Sequence, residues 1–126
     1  MKNLKFYVCK HCGKLIKELN SSDVKNICCG EEMKELIANS VDASLEKHAP
    51  VVEIVEDELL IKVGSTLHPM TKEHYIQWII LNNDVSCYEV ELSPEQDPVV
   101  RIPLLRNATV FAYCNLHGLW KTEIKL

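Results

Sequence analysis

The sequence predicts a mainly β protein in two parts: a small metal-stapled N-terminal domain over residues 1–36, then an immunoglobulin-like antiparallel β-sandwich over 37–126. Three observations carry this. Four of the six cysteines fall early, as "CKHC" at 9–12 and "CC" at 28–29. A segment of about 36 residues is too short to bury a self-sufficient core, so a metal is the expected staple. Beyond Leu36 the texture changes to short β-rich runs at regular spacing, punctuated by Gly, Pro, Asn, Asp and Ser.

In the first part, Cys-x-x-Cys closes a tight knuckle whose two thiolates point at one ion, and a second pair completes a four-sulfur site. Cys9 and Cys12 form the knuckle. The second pair, Cys28 and Cys29, is adjacent and cannot form the same knuckle, so a distorted tetrahedron is expected. A structural zinc site is one reading. His11, inside the knuckle, reads as a solvent-facing loop residue because four thiolates already satisfy the metal.

In the second part the runs are "PVVEIVE", "ELLIKVG", "HYIQWIIL", "SCYEVEL", "PVVRIPL", "ATVFAYC" and "LWKTEIKL". Side chains alternate across a strand. In the last run Trp120, Thr122, Ile124 and Leu126 therefore share a core face, opposite Lys121, Glu123 and Lys125. In "SCYEVEL", Tyr88, Val90 and Leu92 share one face and Cys87 falls with Glu89 and Glu91, which reads as a cysteine without a metal role.

The chain has 126 residues, is 47% hydrophobic and 25% charged, and has a formal net charge of −4. That balance fits a soluble globular protein, and without a basic cluster and interleaved aromatics it argues against nucleic acid as a partner. No apolar run is long enough to span a bilayer, and "MKNLKFYVCK" lacks the apolar stretch of a secretory signal. The expected compartment is the cytoplasm, where thiols stay reduced and six cysteines point to metal or redox chemistry rather than disulfides.

Beyond His11 the histidines are His48, His68, His74 and His117, each at a strand end or in a loop, where a rigid sandwich can present them to one point. Cys114 lies three residues before His117. Imidazole suits zinc, copper and iron alike, so the number of ligands and the thiolate must choose. Zinc is satisfied by four ligands. Copper is a rival, because "YCNLHG" looks like a cupredoxin loop, but a blue-copper site uses two histidines and usually a following Met, and no Met follows His117. Four imidazoles around an equator with one axial thiolate describe a five-coordinate iron with an open sixth position.

Two sets of motifs carry a family resemblance. The spacing C-x-x-C followed by C-C over residues 5–36 resembles desulforedoxin. "EKHAP" at 46–50, "HPM" at 68–70, His74 and "CNLHG" at 114–118 resemble the superoxide reductases, and together the parts resemble the two-iron desulfoferrodoxins over essentially the whole chain. The resemblance implies two irons. One is a rubredoxin-like four-thiolate centre on Cys9, Cys12, Cys28 and Cys29. The other is a catalytic centre on His48, His68, His74, His117 and Cys114 that reduces superoxide to hydrogen peroxide without releasing dioxygen. It also implies that Lys47 steers superoxide and supports protonation, and that Glu46 can occupy the sixth position of the ferric resting state. The implied partners are superoxide, a rubredoxin-like or other electron donor, and a second copy of the chain in a homodimer. Ferrous iron with one thiolate retains a local positive charge, which can attract an anion to an acidic protein.

Overall fold

The computed structural model describes residues 4–125; Leu126, expected on the core face of the last strand, lies outside them. The chain divides into two compact units with the boundary between Ile37 and Ala38.

In the first unit, β1 (Lys5–Val8), β2 (Leu15–Glu18) and β5 (Lys34–Glu35) form a sheet in the order β2-β1-β5, while β3 (Ile27–Cys28) and β4 (Glu31–Glu32) pair as a short hairpin. The knuckle is the turn of the β1–β2 hairpin: Cys9 N–H donates to Lys14 O at 2.8 Å and Gly13 N–H to Cys9 O at 2.9 Å. Gly13 sits at φ 79°, a conformation a side chain would strain. The buried apolar residues of this unit are Leu4, Phe6, Cys9 and Met33 among the described residues.

The second unit opens with one helical turn, α1 (Leu45–His48), which the sequence pattern does not signal. Seven strands follow: β6 (Pro50–Val55), β7 (Glu58–Val63), β8 (Ile76–Asn82), β9 (Cys87–Glu91), β10 (Val99–Pro103), β11 (Asn107–Cys114) and β12 (Gly118–Lys125). They correspond one for one to the seven predicted runs. They form two antiparallel sheets, β10-β7-β6 and β12-β11-β8-β9. One apolar cluster joins them, with Leu59, Ile61, Val63, Val100 and Ile102 from the first sheet and Ile76, Ile79, Leu81, Val110, Ala112 and Ile124 from the second. Two sheets sharing one core make a β-sandwich.

The alternation is visible strand by strand. In β7, Leu59, Ile61 and Val63 are buried and the residues between them half-buried; in β12, Trp120 and Ile124 are buried while Lys121, Glu123 and Lys125 are exposed. Cys87 is exposed, as are Glu89 and Glu91. In β8 the alternation slips. Tyr113 pairs with Trp78 but Cys114 pairs with Ile76, so Gln77 is an extra residue in a β-bulge. Ile76 therefore points into the core beside Cys114, and His74, two residues earlier, precedes the strand in a turn instead of starting it. The Ile76 N–H freed at the bulge donates to Met70 Sδ at 3.3 Å.

Antiparallel pairing brings the start of β6, the end of β7, the start of β8, the end of β11 and the start of β12 to one end of the sandwich. His48, His68, His74, Cys114 and His117 all sit on or beside these termini.

Candidate metal centres

The sulfurs of Cys9, Cys12, Cys28 and Cys29 all lie within 4.8 Å of one another. The Cys12–Cys28 pair is separated by 3.6 Å and the Cys28–Cys29 pair by 4.0 Å. These straddle the roughly 3.8 Å edge of a regular tetrahedron with metal–sulfur bonds of about 2.3 Å. The distortion expected of an adjacent pair is carried by the backbone: Cys29 takes φ 53° and Gly30 φ 76°, turning successive side chains toward the same point. The thiols compete for ionisation. Backbone N–H donation from Cys12 brings Cys9 down to about 6, whereas sharing hydrogen bonds with Cys9 and Cys12 pushes Cys29 up to about 12 and raises Cys28. Four adjacent thiolates need a cation to neutralise them, so this set fits a thiophilic metal. His11 is exposed, with Nε2 3.0 Å from Glu31 Oε2.

The second group is assembled from distant segments. Ligand atoms of His48, His68, His74 and Cys114 lie within 4.8 Å of one another. His117 joins them through Nδ1, 3.1 Å from His48 Nε2 and 3.9 Å from Cys114 Sγ. The four rings follow one another around a square. Centroids are 4.6 Å apart for His48–His68, 4.6 Å for His68–His74, 5.1 Å for His74–His117 and 4.8 Å for His117–His48, with 6.4 Å across the His48–His74 diagonal.

Hydrogen bonding selects which nitrogen is offered. His48 Nδ1 donates to Ser44 O at 2.6 Å and His68 Nδ1 to Pro69 O at 2.7 Å. A carbonyl only accepts, so each Nδ1 carries the proton and each Nε2 presents a lone pair. Nε2 of His68 and of His74 is buried and without a hydrogen-bond partner, a costly arrangement unless a metal takes the lone pair. The His48–His117 separation fits as well, since two nitrogens bound at right angles at about 2.1 Å lie about 3.0 Å apart. Burial holds His68 down to about 4 and lowers His48 and His74, so the imidazoles stay neutral and metal-ready. Burial raises the Cys114 thiol, opposed by the backbone N–H groups of Leu116 and His117, which favour the thiolate.

Glu46 and Lys47 lie exposed on α1. The Lys47 charge contributes to lowering both His48 and His74, which puts its field on the histidine group. Thr66 Oγ1 donates to Glu46 Oε1 at 2.9 Å, and Ser65 N–H to Glu46 O at 2.8 Å. Gly64 makes this strap possible: at φ 88°, an added Cβ would lie 2.6 Å from Lys47 O and would also collide with Thr66 O. Gly64, Ser65 and Thr66 carry no metal-site motif, so sequence reasoning passes over them. It also assigns Trp120 to the core alone. The Trp120 ring stacks on His48 at 4.8 Å, and its Nε1–H donates to His117 O at 3.2 Å. An indole three residues beyond a ligand, with a donor that must be satisfied when buried, is the signal that could have found it.

Fold and centres together define a class: a β-sandwich presenting four imidazoles and one thiol at one end, in a chain that also carries a four-cysteine knuckle. The desulfoferrodoxin family model matches residues 40–123. A desulfoferrodoxin from Syntrophotalea carbinolica is 43% identical over 95% of this chain and 96% of its own. A superoxide reductase from Pyrococcus horikoshii is 32% identical over 75% of this chain and 98% of its own. The crystal structure of the superoxide reductase from Treponema pallidum superimposes with a TM-score of 0.76 at 33% identity, covering 96% of this chain and 99% of that one. The chain belongs to the desulfoferrodoxin family. That family holds one iron in a four-cysteine centre and one in a four-histidine, one-cysteine centre, and both donor sets are present here.

Proposed function

We propose that the protein is a superoxide reductase, carrying out O2•− + e− + 2H+ → H2O2 at a single iron held by His48, His68, His74, His117 and Cys114. The observation that carries this reading is the square of four imidazoles with one buried thiol beside it. Five such donors leave one position of an octahedral metal for a small anion. Iron held by these residues would supply the electron, and each turnover would call for one electron from an external donor.

The chain's own residues do the rest. Backbone carbonyls of Ser44 and Pro69 fix the ring orientation of His48 and His68. The N–H groups of Leu116 and His117 stabilise negative charge on Cys114 Sγ. Lys47 supplies a positive field that draws in the substrate anion despite the net charge of −4, and its ammonium is the candidate group to assist protonation. Glu46, whose Oε1 accepts from Thr66 Oγ1, is the carboxylate that would be available to fill the open position of an oxidised iron.

Each turnover consumes one electron, so a one-electron donor of rubredoxin type is the expected partner. Leu19, Val24 and Ile27 are large apolar side chains exposed on the first unit, which supports a homodimer in which a second copy covers them. Six free cysteines suit the reducing cytoplasm, and no helix among the described residues is long and apolar enough to cross a membrane.

Iron analysis combined with stopped-flow mixing of reduced protein and a superoxide pulse tests the reading. Peroxide should form without dioxygen evolution, and sedimentation should give twice the chain mass. Dioxygen evolution alongside peroxide, or a protein from its native source that holds zinc or copper in the histidine group, would overturn it.

A further inference from the structure

The "CNLHG" segment contains one polar side chain to which the reading above gives no work, Asn115. His74 lies in a turn tied to itself by hydrogen bonds between Thr71 and His74: Thr71 N–H donates to His74 O at 3.0 Å, and His74 N–H to Thr71 Oγ1 at 3.1 Å. The regular ladder between β11 and β8 ends at Cys114 and Ile76, just past the bulge. Beyond that rung Asn115 takes over. Its backbone N–H donates to Tyr75 O at 3.2 Å, its Oδ1 accepts the Tyr75 N–H at 3.0 Å, and its Nδ2 donates to Glu73 O at 2.9 Å.

Glu73 and Tyr75 are the two chain neighbours of His74, and Asn115 lies between Cys114 and His117. One planar amide thus grips both sides of one ligand from the midst of two others. We propose that Asn115 is a positioning residue that sets the placement of His74 relative to Cys114 and His117, so that the donors stand near their metal-binding arrangement before the metal arrives. This rests on the reading of the four-histidine, one-cysteine group as the iron site.

The chemistry of the residue is specific. The clamp needs an acceptor for Tyr75 N–H and a donor for Glu73 O on two separate atoms of one short planar side chain, and among side chains of this size Asn alone offers that; a Ser or Thr hydroxyl puts both functions on a single oxygen. Asp keeps the acceptor but turns an oxygen toward Glu73 O. Ala keeps only the backbone bond. With the clamp gone, only the Thr71–His74 bonds hold the turn, its placement against Cys114 and His117 is looser, and the cost of fixing it when metal binds is taken from metal affinity.

The test uses the iron-loaded full chain challenged with a ferrous chelator. The challenge is made on the reduced protein, and the iron left in the histidine centre is then read, after reoxidation, by its thiolate-to-iron charge-transfer band, with the four-thiolate centre as internal reference. Asn115→Asp and Asn115→Ala should each loosen the histidine-centre iron by about 10- to 100-fold, shift or broaden its band, and raise amide hydrogen exchange at Tyr75. The four-thiolate spectrum should not move. The control is Asn83→Ala. Asn83 Oδ1 accepts from Val85 N–H at 3.0 Å and Ser86 N–H at 2.9 Å in the β8–β9 hairpin, at the other end of β8. This variant should melt at lower temperature with wild-type iron retention and band. Asn115→Asp guards the test should Asn115→Ala fail to fold. Wild-type retention and band in Asn115→Asp, or equal loosening in Asn83→Ala, would overturn the proposal. A wild-type chain that shows no charge-transfer band after loading would overturn the iron-site reading instead.

Discussion

Cys9 and Cys28 are 19 residues apart and belong to one small unit with four buried apolar residues among those described. His48 and His117 are 69 residues apart and meet at the end of a sandwich whose buried cluster has fourteen members. In the first centre Cys12 and Cys29 are exposed; in the second His48, His68 and Cys114 are buried. The difference teaches how a protein distributes responsibility between metal and chain. Where the core is small, the metal organises the polypeptide, and its binding energy is folding energy. Where the core is large, the polypeptide organises the ligands, and backbone carbonyls and a stacked indole settle their orientation in advance. A catalytic centre needs the second arrangement, because a position left open for substrate cannot be held open by a metal that shapes its own cage.

The most severe way to break this contrast is to remove the metals. Chelation should unfold the region 4–37 while the seven-stranded sandwich keeps its sheets, as read by amide hydrogen exchange. Cys28→Ser should do the same to the first unit and leave the charge-transfer band of the second centre in place. Structural metal binding of this type contributes on the order of 10 kcal/mol, more than four buried side chains can replace. Persistent protection of Phe6 and Met33 amides in the chelated protein would contradict the metal-first account.

Cys114→Ser sharpens the other side of the contrast. It should abolish the thiolate-to-iron band and most of the reductase activity without unfolding the sandwich, while Cys87→Ser, exposed on β9, should change neither. Loss of the band in Cys87→Ser would mean that the axial ligand is misassigned.

A smaller effect is expected at Lys47. Lys47→Ile should slow the encounter with superoxide by roughly 10- to 100-fold and flatten its dependence on ionic strength, with iron content unchanged. Glu46→Ala should leave the encounter rate near wild type and open the oxidised centre to added anions, as titration with azide would read. Equal rates for wild type and Lys47→Ile across a salt series would remove Lys47 from the steering role.

The mildest expected effect is the acid response of the metal-free sandwich. Burial holds His68 at about 4, below the ordinary 6.5, and lowers His48 and His74 as well. Between those values the unfolded chain binds more protons than the folded one. The stability these neutral rings permit is therefore complete above about pH 6.5 and lost progressively toward pH 4. Thermal melting of the metal-free chain across this interval should show a falling midpoint, and His68→Gln should flatten the slope.

Much of this was legible in one dimension because the signals were local. Cys-x-x-Cys is a motif whose spacing is its geometry, and a half-buried strand such as β12 writes its environment into alternate residues. The short strands of the first unit left no such pattern, since two-residue pairs like Ile27–Cys28 with Glu31–Glu32 are too brief to alternate. The single turn α1 was equally silent, being shorter than one period of an amphipathic stripe.

By itself the sequence named the candidate ligands, the seven strands of the sandwich and the family, because residue type, spacing and alternation carry those signals locally. Only the tertiary structure decided which nitrogen His48 and His68 offer, since that follows from carbonyls at Ser44 and Pro69. Only it decided that His74 reaches the site: uninterrupted alternation back from Leu81 and Ile79 would turn Gln77 and Tyr75 inward, and the bulge at Gln77 restores Ile76 to the core beside Cys114. It likewise recruited Asn115, Gly64 and Trp120, whose contributions are made to residues remote in the chain. Such interactions depend on distances across the fold, and no local pattern of residues carries them.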